Sequence, residues 1–294
     1  MANVKVGLIG GTGMEEALLG QITGHKREVD TPFGKPSAPI VEGEIDGVPI
    51  AILARHGIGH RYNPTQVPYR ANIFSLKKLG VTHILASGAV GALREHLRAR
   101  TLVVPHQVID KTTRRASSFY EDHCTVHVEF ADPFCEELRN ILVTSGSGLD
   151  TIVHNGGTYV CMEGPAFSSR AEAFMHRHWG GDLIGMTGMP EAKLAREAEI
   201  CYAHVSLITD FDCWRPPVLT GPRETVLEAV IANLQVTTQY CLDLFRRAIR
   251  RIASETPTDC PCQSALKMAI WSDHAAISPE SRKILAPLIG KYVS

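Results

Sequence analysis

Two aspartates two positions apart, Asp210 and Asp212, follow the largely apolar run Cys201–Ile208. Burial at a strand exit and a like-charged neighbour both raise a carboxyl pKa, so such a group can stay protonated and act as an acid. The plainer alternative is a helix N-cap beside a solvated acid. Three other segments that follow strand-like runs carry the opposite chemistry, donors for an anion. Gly10-Gly11-Thr12-Gly13 offers backbone N–H groups and the Thr12 hydroxyl. Arg55 brings a planar guanidinium fork, with His56 as a further donor. Ser87-Gly88-Ala89-Val90-Gly91 is a small-residue loop with more backbone donors. Each alone reads equally well as a tight turn, a surface arginine or a close packing site. Open α/β sheets bind ligands beyond the carboxyl ends of their strands, so the set reads as an anion pocket beside an acid. The first glycine turn does not complete a dinucleotide fingerprint, because Glu16 stands where the third glycine is required.

These residues need strands to carry them. Short β-branched runs closed by turn residues predict strands at Val4–Ile9, Val48–Ala54, Thr82–Ala86, Thr101–Val104, Thr158–Cys161, Leu183–Met186 and Cys201–Ile208. Helical patterns fall between them at Val67–Leu79, Pro133–Val143, Ser169–His178, Pro190–Ala198 and Thr225–Ile252. This alternation predicts a single-domain α/β fold, a mixed, largely parallel central sheet flanked by helices. After Ala253 the composition turns to Ser, Thr, Pro and Cys, and two short helices are expected at Ala265–Trp271 and Pro279–Ile289. The chain therefore divides into a main domain, 1–252, and a C-terminal extension, 253–294, with an expected role in oligomer contacts through Trp271 and the apolar face of 279–289.

Composition narrows the partners. The chain has 294 residues, 44 % hydrophobic, with 30 basic and 31 acidic residues for a net charge of −1. No basic block argues for nucleic acid, and no apolar run spans a bilayer. The N-terminus carries no secretory pattern, so a cytoplasmic location is expected. The eight cysteines are scattered apart from Cys260-Pro-Cys262, and no Cys-x-x-Cys occurs. Buried reduced thiols and no metal are the expectation, with a Cys260–Cys262 bridge as the other possibility.

Taken in order, Gly-Leu-Ile-Gly-Gly-Thr-Gly at 7–13, Asp-Thr-Pro-Phe-Gly-Lys-Pro-Ser at 30–37, Leu-Ala-Arg-His-Gly at 53–57 and Arg-Ala-Asn-Ile at 70–73 form a recognisable series. It continues through Glu-Gly-Pro-Ala-Phe-Ser-Ser-Arg-Ala-Glu at 163–172, Met-Thr-Gly-Met-Pro-Glu at 186–191 and Thr-Asp-Phe-Asp-Cys-Trp at 209–214. From Val4 to Ile252 the chain resembles the methylthioadenosine phosphorylases of the trimeric purine nucleoside phosphorylase superfamily. The resemblance implies a phosphate site from Thr12, Arg55, His56, Ala89 and Thr187. It implies Phe167 stacked on the purine with Ser168 beside it, and Asp210 and Asp212 on N7 and the exocyclic amine. Met186 would lie under the ribose, and His127 would come from a neighbouring subunit, hence a homotrimer or hexamer. Val226 and Leu227, at the start of a long helix, are candidates for the 5'-methylthio pocket, unless they are ordinary helix core.

The implied reaction is phosphorolysis of 5'-methylthioadenosine to adenine and 5-methylthioribose 1-phosphate, with Asp210 as general acid, phosphate as co-substrate and no cofactor. Relatives specific for 6-oxopurines carry Asn at the position of Asp210 and Glu at that of Ser168, and an Asp accepts from an amino group where O6 needs a donor. Three positions depart from the pattern: Gly88 and Gly188 replace threonines, and Ala166 replaces an arginine. Gly188 also occurs in relatives acting on methylthioinosine. A methylthioinosine or 6-oxopurine nucleoside phosphorylase is therefore the competing enzyme, and a nucleoside-binding protein without turnover the competing non-enzyme.

Overall fold

The structure is a computed structural model, and it describes residues 4–11, 14, 17, 24–216, 225–255 and 259–293. Thr12 lies outside the described residues.

Eleven strands form one mixed sheet among the described residues. They are β1 (Val6–Gly10), β2 (His25–Arg27), β3 (Ile40–Ile45), β4 (Val48–Ala54), β5 (His83–Ala92), β6 (Leu102–Val104), β7 (Gln107–Asp110), β8 (Val153–Asn155), β9 (Thr158–Cys161), β10 (Leu183–Gly185) and β11 (Cys201–Asp210). The helices are α1 (Tyr69–Lys78), α2 (Glu136–Ser145), α3 (Arg170–His178), α4 (Glu191–Glu197), α5 (Val226–Glu255) and α6 (Pro279–Ile289). One path of the sheet runs β2-β3-β4-β1-β5-β10-β9-β7, and β11 pairs with both β5 and β6. The spine β4-β1-β5-β11 is parallel throughout.

The expected segments at Val48–Ala54 and Thr158–Cys161 are observed unchanged. The expected loop at 87–91 is instead the second half of β5, held by β11 in register from His83↔Cys201 to Val90↔Ile208, with a one-residue shift at Thr209 before Gly91↔Asp210. Small residues there signify close approach within a ladder, which a sequence reading cannot distinguish from a turn. Ala265–Trp271 is not a helix; it is a run of turns after a short 3-10 segment, Pro261–Ser264.

Side chains alternate across the sheet as a pleated strand requires. In β11, Cys201, Ala203, Val205 and Leu207 face a core with α2 and α5, while Tyr202 and Ile208 face one with α1, α4 and α6. The C-terminal segment shares both cores: Cys260 and Cys262 enter the first, and Leu266, Ile277, Leu285, Leu288 and Ile289 enter the second. The apolar face of 279–289 is thus spent inside this chain rather than left for a neighbour, because α6 lies against α1. Trp271 and Met268 remain exposed.

One buried group makes stability depend on pH. Glu197, at the end of α4, accepts the Phe119 N–H at 2.8 Å in a nearly closed environment. Burial is the main cause that pushes its pKa up to about 7. Raised above its unfolded value of about 4.5, the group favours folding below that value, and this contribution is lost as pH rises through 7. Glu197→Gln keeps an acceptor for Phe119 and removes the charge. Thermal melts should show the variant more stable than the parent at pH 8, by on the order of 3 kcal/mol at most, with the gap closing toward pH 4.5. A gap independent of pH would refute this account.

Candidate active site

The site begins where the sheet divides. β1 pairs with β5 over His83–Ala86, and β10 pairs with it at Gly91 and Ala92. Between them, among the described residues, one edge of β5 has no strand beside it, and the buried Arg55 guanidinium fills the gap. Its backbone N–H donates to the Gly10 carbonyl, extending the β1–β4 ladder by one step. Its Nη1 donates to the Ser87 carbonyl at 2.6 Å, and Nε and Nη2 grip Glu191 in a bidentate pair at 2.8 and 2.9 Å. The Tyr202 hydroxyl donates to the same carboxylate at 2.8 Å. Burial opposes the Arg55 charge, but Glu191 outweighs it and holds the guanidinium above its ordinary pKa. Three of the five guanidinium donors are used, leaving two for a ligand.

Gly11 and the loop after β10 lie close to this arginine. A side chain at Gly11 would come within 3.1 Å of the Ser87 carbonyl and 3.2 Å of Arg55 Nη1. One at Gly88 would meet Thr187 Oγ1 at 3.2 Å and His204 Nε2 at 3.3 Å. Gly11, Ser87, Gly88, Arg55 and Thr187 are therefore contiguous, and Ala89 is exposed beside them on β5. The departure at Gly88 now has a physical reason: His204 occupies space next to it. Its Nε2 is buried without a partner, as is Ser87 Oγ. Gly188 has a similar explanation, since a side chain there would press on the Tyr159 ring at 3.1 Å.

His56 differs from expectation. Its Nδ1 lies 2.8 Å from the Tyr62 carbonyl, and burial, helped by the Arg55 charge, lowers its pKa to about 4. The ring is neutral near pH 7 with its proton on Nδ1, so Nε2 is an acceptor and not the further donor expected from the sequence. It suits the O–H of a protonated anion.

The acid end lies at the close of β11. The Asp210 carboxylate accepts the Thr209 hydroxyl at 2.7 Å and the Asp212 N–H at 2.9 Å. Burial raises the Asp210 pKa against these two bonds. Asp212 turns back in the left-handed region, φ 48°, over Gly91, which has no side chain to obstruct it. Its pKa is also raised, first by burial and further by Asp210, and its Oδ2 is buried without a partner. The Cys213 thiol donates to the Ser168 carbonyl at 3.2 Å, which draws the 163–169 loop to this turn. Phe167, on that loop, is 80 % exposed, with its ring turned to solvent. Met186 is half-buried and packs where a side chain on Gly164 would sit.

Two residues without a role in the sequence reading hold these loops together. Arg115 donates to the carbonyls of Met186, Met189 and Glu163 at 2.7, 2.6 and 2.6 Å, and to the Glu163 carboxylate at 2.9 Å. Burial works against the Glu163 charge, but the N–H groups of Thr113 and Arg114, the Thr65 hydroxyl and Arg115 bring its pKa down to about 2. Glu163 and Glu191 each end or begin a recognisable motif, which was the available signal. Nothing in the loop around Arg115 marks it out.

The remaining candidates lie further off. Val226 and Leu227 are exposed on the first turn of α5, which excludes the helix-core alternative. Two turns later, about 10 Å along the axis, Asn233 donates to the Thr209 carbonyl at 2.8 Å and ties this helix to the end of β11. His127 is exposed, and both its hydrogen bond to the Ala269 carbonyl and its edge contact with Trp271 are to the C-terminal segment.

Comparison with known proteins identifies the family. The model of the phosphorylase superfamily matches residues 5–250. An S-methyl-5'-thioadenosine phosphorylase of Geobacter sulfurreducens is 46 % identical over 98 % of this chain and 99 % of its own. A crystal structure of a methylthioadenosine phosphorylase from an antarctic soil metagenomic library superposes with a TM-score of 0.89 at 42 % identity, covering 97 % of this chain and 98 % of the other. An adenosine/methylthioadenosine phosphorylase mutant from Schistosoma mansoni, solved with methylthioadenosine, gives 0.84 at 36 % identity over 91 % and 99 %. By matched length, sequence identity and fold, the chain belongs to the phosphorylase superfamily, among its methylthioadenosine phosphorylases.

Proposed function

We propose that this protein catalyses phosphorolysis of 5'-methylthioadenosine to adenine and 5-methylthioribose 1-phosphate. The reading rests on one juxtaposition: a buried carboxyl pair at the end of β11, beside a strand whose open edge is braced by Arg55. Phosphate is held by the two remaining Arg55 donors, the Thr187 hydroxyl, the Ala89 N–H and Thr12, while its own O–H donates to His56. One phosphate oxygen forms a bond to the ribose C1' as the C1'–N9 bond breaks and its electron pair moves into the purine. Asp210 passes its proton to N7, so adenine departs neutral. The partnerless Asp212 oxygen supports the 6-amino assignment, because a buried acceptor favours a ligand N–H over a second acceptor. Phe167 stacks on the base beside Ser168, Met186 lies under the ribose, and Val226 and Leu227 receive the methylthio group. His127 reaches the site of a neighbouring subunit in a homotrimer or hexamer. The chemistry requires phosphate as co-substrate and no cofactor.

Steady-state phosphorolysis of methylthioadenosine, methylthioinosine, adenosine and inosine tests the base assignment. Methylthioadenosine should have the highest kcat/KM, and an advantage for inosine-type substrates above about tenfold would reject the role given to Asp212. Asp210→Asn should lower kcat by about 10²–10⁴. The parent's kcat should also fall as pH rises through the elevated Asp210 pKa, since the acid form is the active one; the variant should lack that limb.

Glu191→Gln turns an amide N–H toward a buried guanidinium. It should lower the melting temperature, within the roughly 3–5 kcal/mol expected for breaking a buried pair, and raise KM for phosphate about tenfold or more. KM for the nucleoside should change little. An unaltered phosphate KM would separate Arg55 from phosphate binding.

A further inference from the structure

Four of the eight cysteines meet in three dimensions, far from the site just described. Cys135 precedes α2, Cys201 opens β11, and Cys260 and Cys262 flank Pro261 at the start of the 3-10 turn. Their sulfurs all lie within 4.8 Å of one another, every one is a free thiol, and all four residues are buried. The Cys135 and Cys260 sulfurs are 3.7 Å apart. A disulfide would bring them to about 2.05 Å. Four sulfurs placed tetrahedrally at about 2.3 Å from a zinc ion stand about 3.8 Å from each other, close to the 3.7 Å between Cys135 and Cys260 and within the 4.8 Å that spans all four.

The surroundings suit metal-bound thiolates. The Cys135 N–H donates to the Tyr202 carbonyl at 2.8 Å, fixing the first sulfur beside the second. The Gln263 side-chain amide lies 4.0 Å from the Cys201 sulfur. An amide donor of this kind offsets part of the negative charge of a tetrathiolate complex, as outer partners do at metal sites. His83, opposite Cys201 in the ladder, has a buried Nε2 without a partner and could add a further donor.

We propose that Cys135, Cys201, Cys260 and Cys262 bind one zinc ion in a closed tetrahedral site that pins the C-terminal segment to the head of β11. With four protein ligands no coordination position is open, so the site is structural and not catalytic. It lies at the opposite end of β11 from Asp210, nine residues or about 30 Å away. Binding replaces the thiol protons, which leave to solvent. Beyond the metal, the same segment hydrogen-bonds residues 125–127.

Elemental analysis of the full-length protein, purified under reducing conditions, should give about one zinc per chain. Cobalt exchanged into it should show the visible bands and thiolate charge transfer of a four-sulfur tetrahedral complex. Cys260→Ser with Cys262→Ser should abolish both while leaving methylthioadenosine turnover intact. If that variant does not fold, Cys135→Ser should shift the cobalt bands toward a mixed sulfur–oxygen set. A reduced protein that takes up neither zinc nor cobalt would overturn the proposal. So would metal-free protein whose mass is lower by the hydrogens of one or two disulfides.

Discussion

The Arg55–Glu191 pair is the interaction on which the site depends. Where β1 leaves β5 and β10 has not yet joined it, the Ser87 carbonyl would be a buried acceptor without a strand to satisfy it. The Arg55 guanidinium supplies that hydrogen bond, and Glu191 neutralises and orients the guanidinium. A buried ion pair adds little net stability, since desolvation cancels most of its Coulomb gain. What it provides here is geometry. It allows a parallel sheet to split and still keep its backbone groups paired, and the split is the space a small anion requires. The same pair binds α4 to the sheet, with Tyr202 completing the bonds to the carboxylate.

Burial then sets opposite electrostatics at the two ends of the site. Around Arg55 one permanent charge is shielded by Glu191, and the neighbouring histidines, His56 and His204, are held neutral by burial and by that same charge. At the end of β11 no cation among the described residues lies against Asp210 or Asp212; burial dominates, and both carboxyls are drawn toward their protonated forms. Arg115 and Glu163 keep the intervening loops fixed through backbone carbonyls and N–H groups.

The C-terminal segment is part of the body of the protein. It contributes to the cores on both faces of the sheet, and its link to residues 125–127 connects the four-cysteine cluster to the exposed His127 surface. The relatives of similar length match through this segment as well, although the superfamily model stops at residue 250.

The sequence alone determined much about this protein. Alternating apolar runs and helical periods located the parallel spine, because strands buried on both faces leave a continuous signal, as in Cys201–Ile208. Ordered motifs identified the family and the candidate residues Arg55, His56, Thr187, Asp210 and Asp212. Edge strands such as β2 and β7 left no such signal, being exposed or half-buried along their length. Tertiary structure alone decided which nitrogen of His56 carries the proton, which acid braces Arg55, and why glycine stands at 88 and 188. All but the first depend on a neighbour remote in sequence: Tyr62 lies close to His56, but Glu191 is 136 residues from Arg55. The cysteines make the point most clearly. Spacing along the chain gave no metal pattern, and the four sulfurs become neighbours only when α2, β11 and the C-terminal turn are packed together, because ligand geometry is a property of space and not of sequence separation.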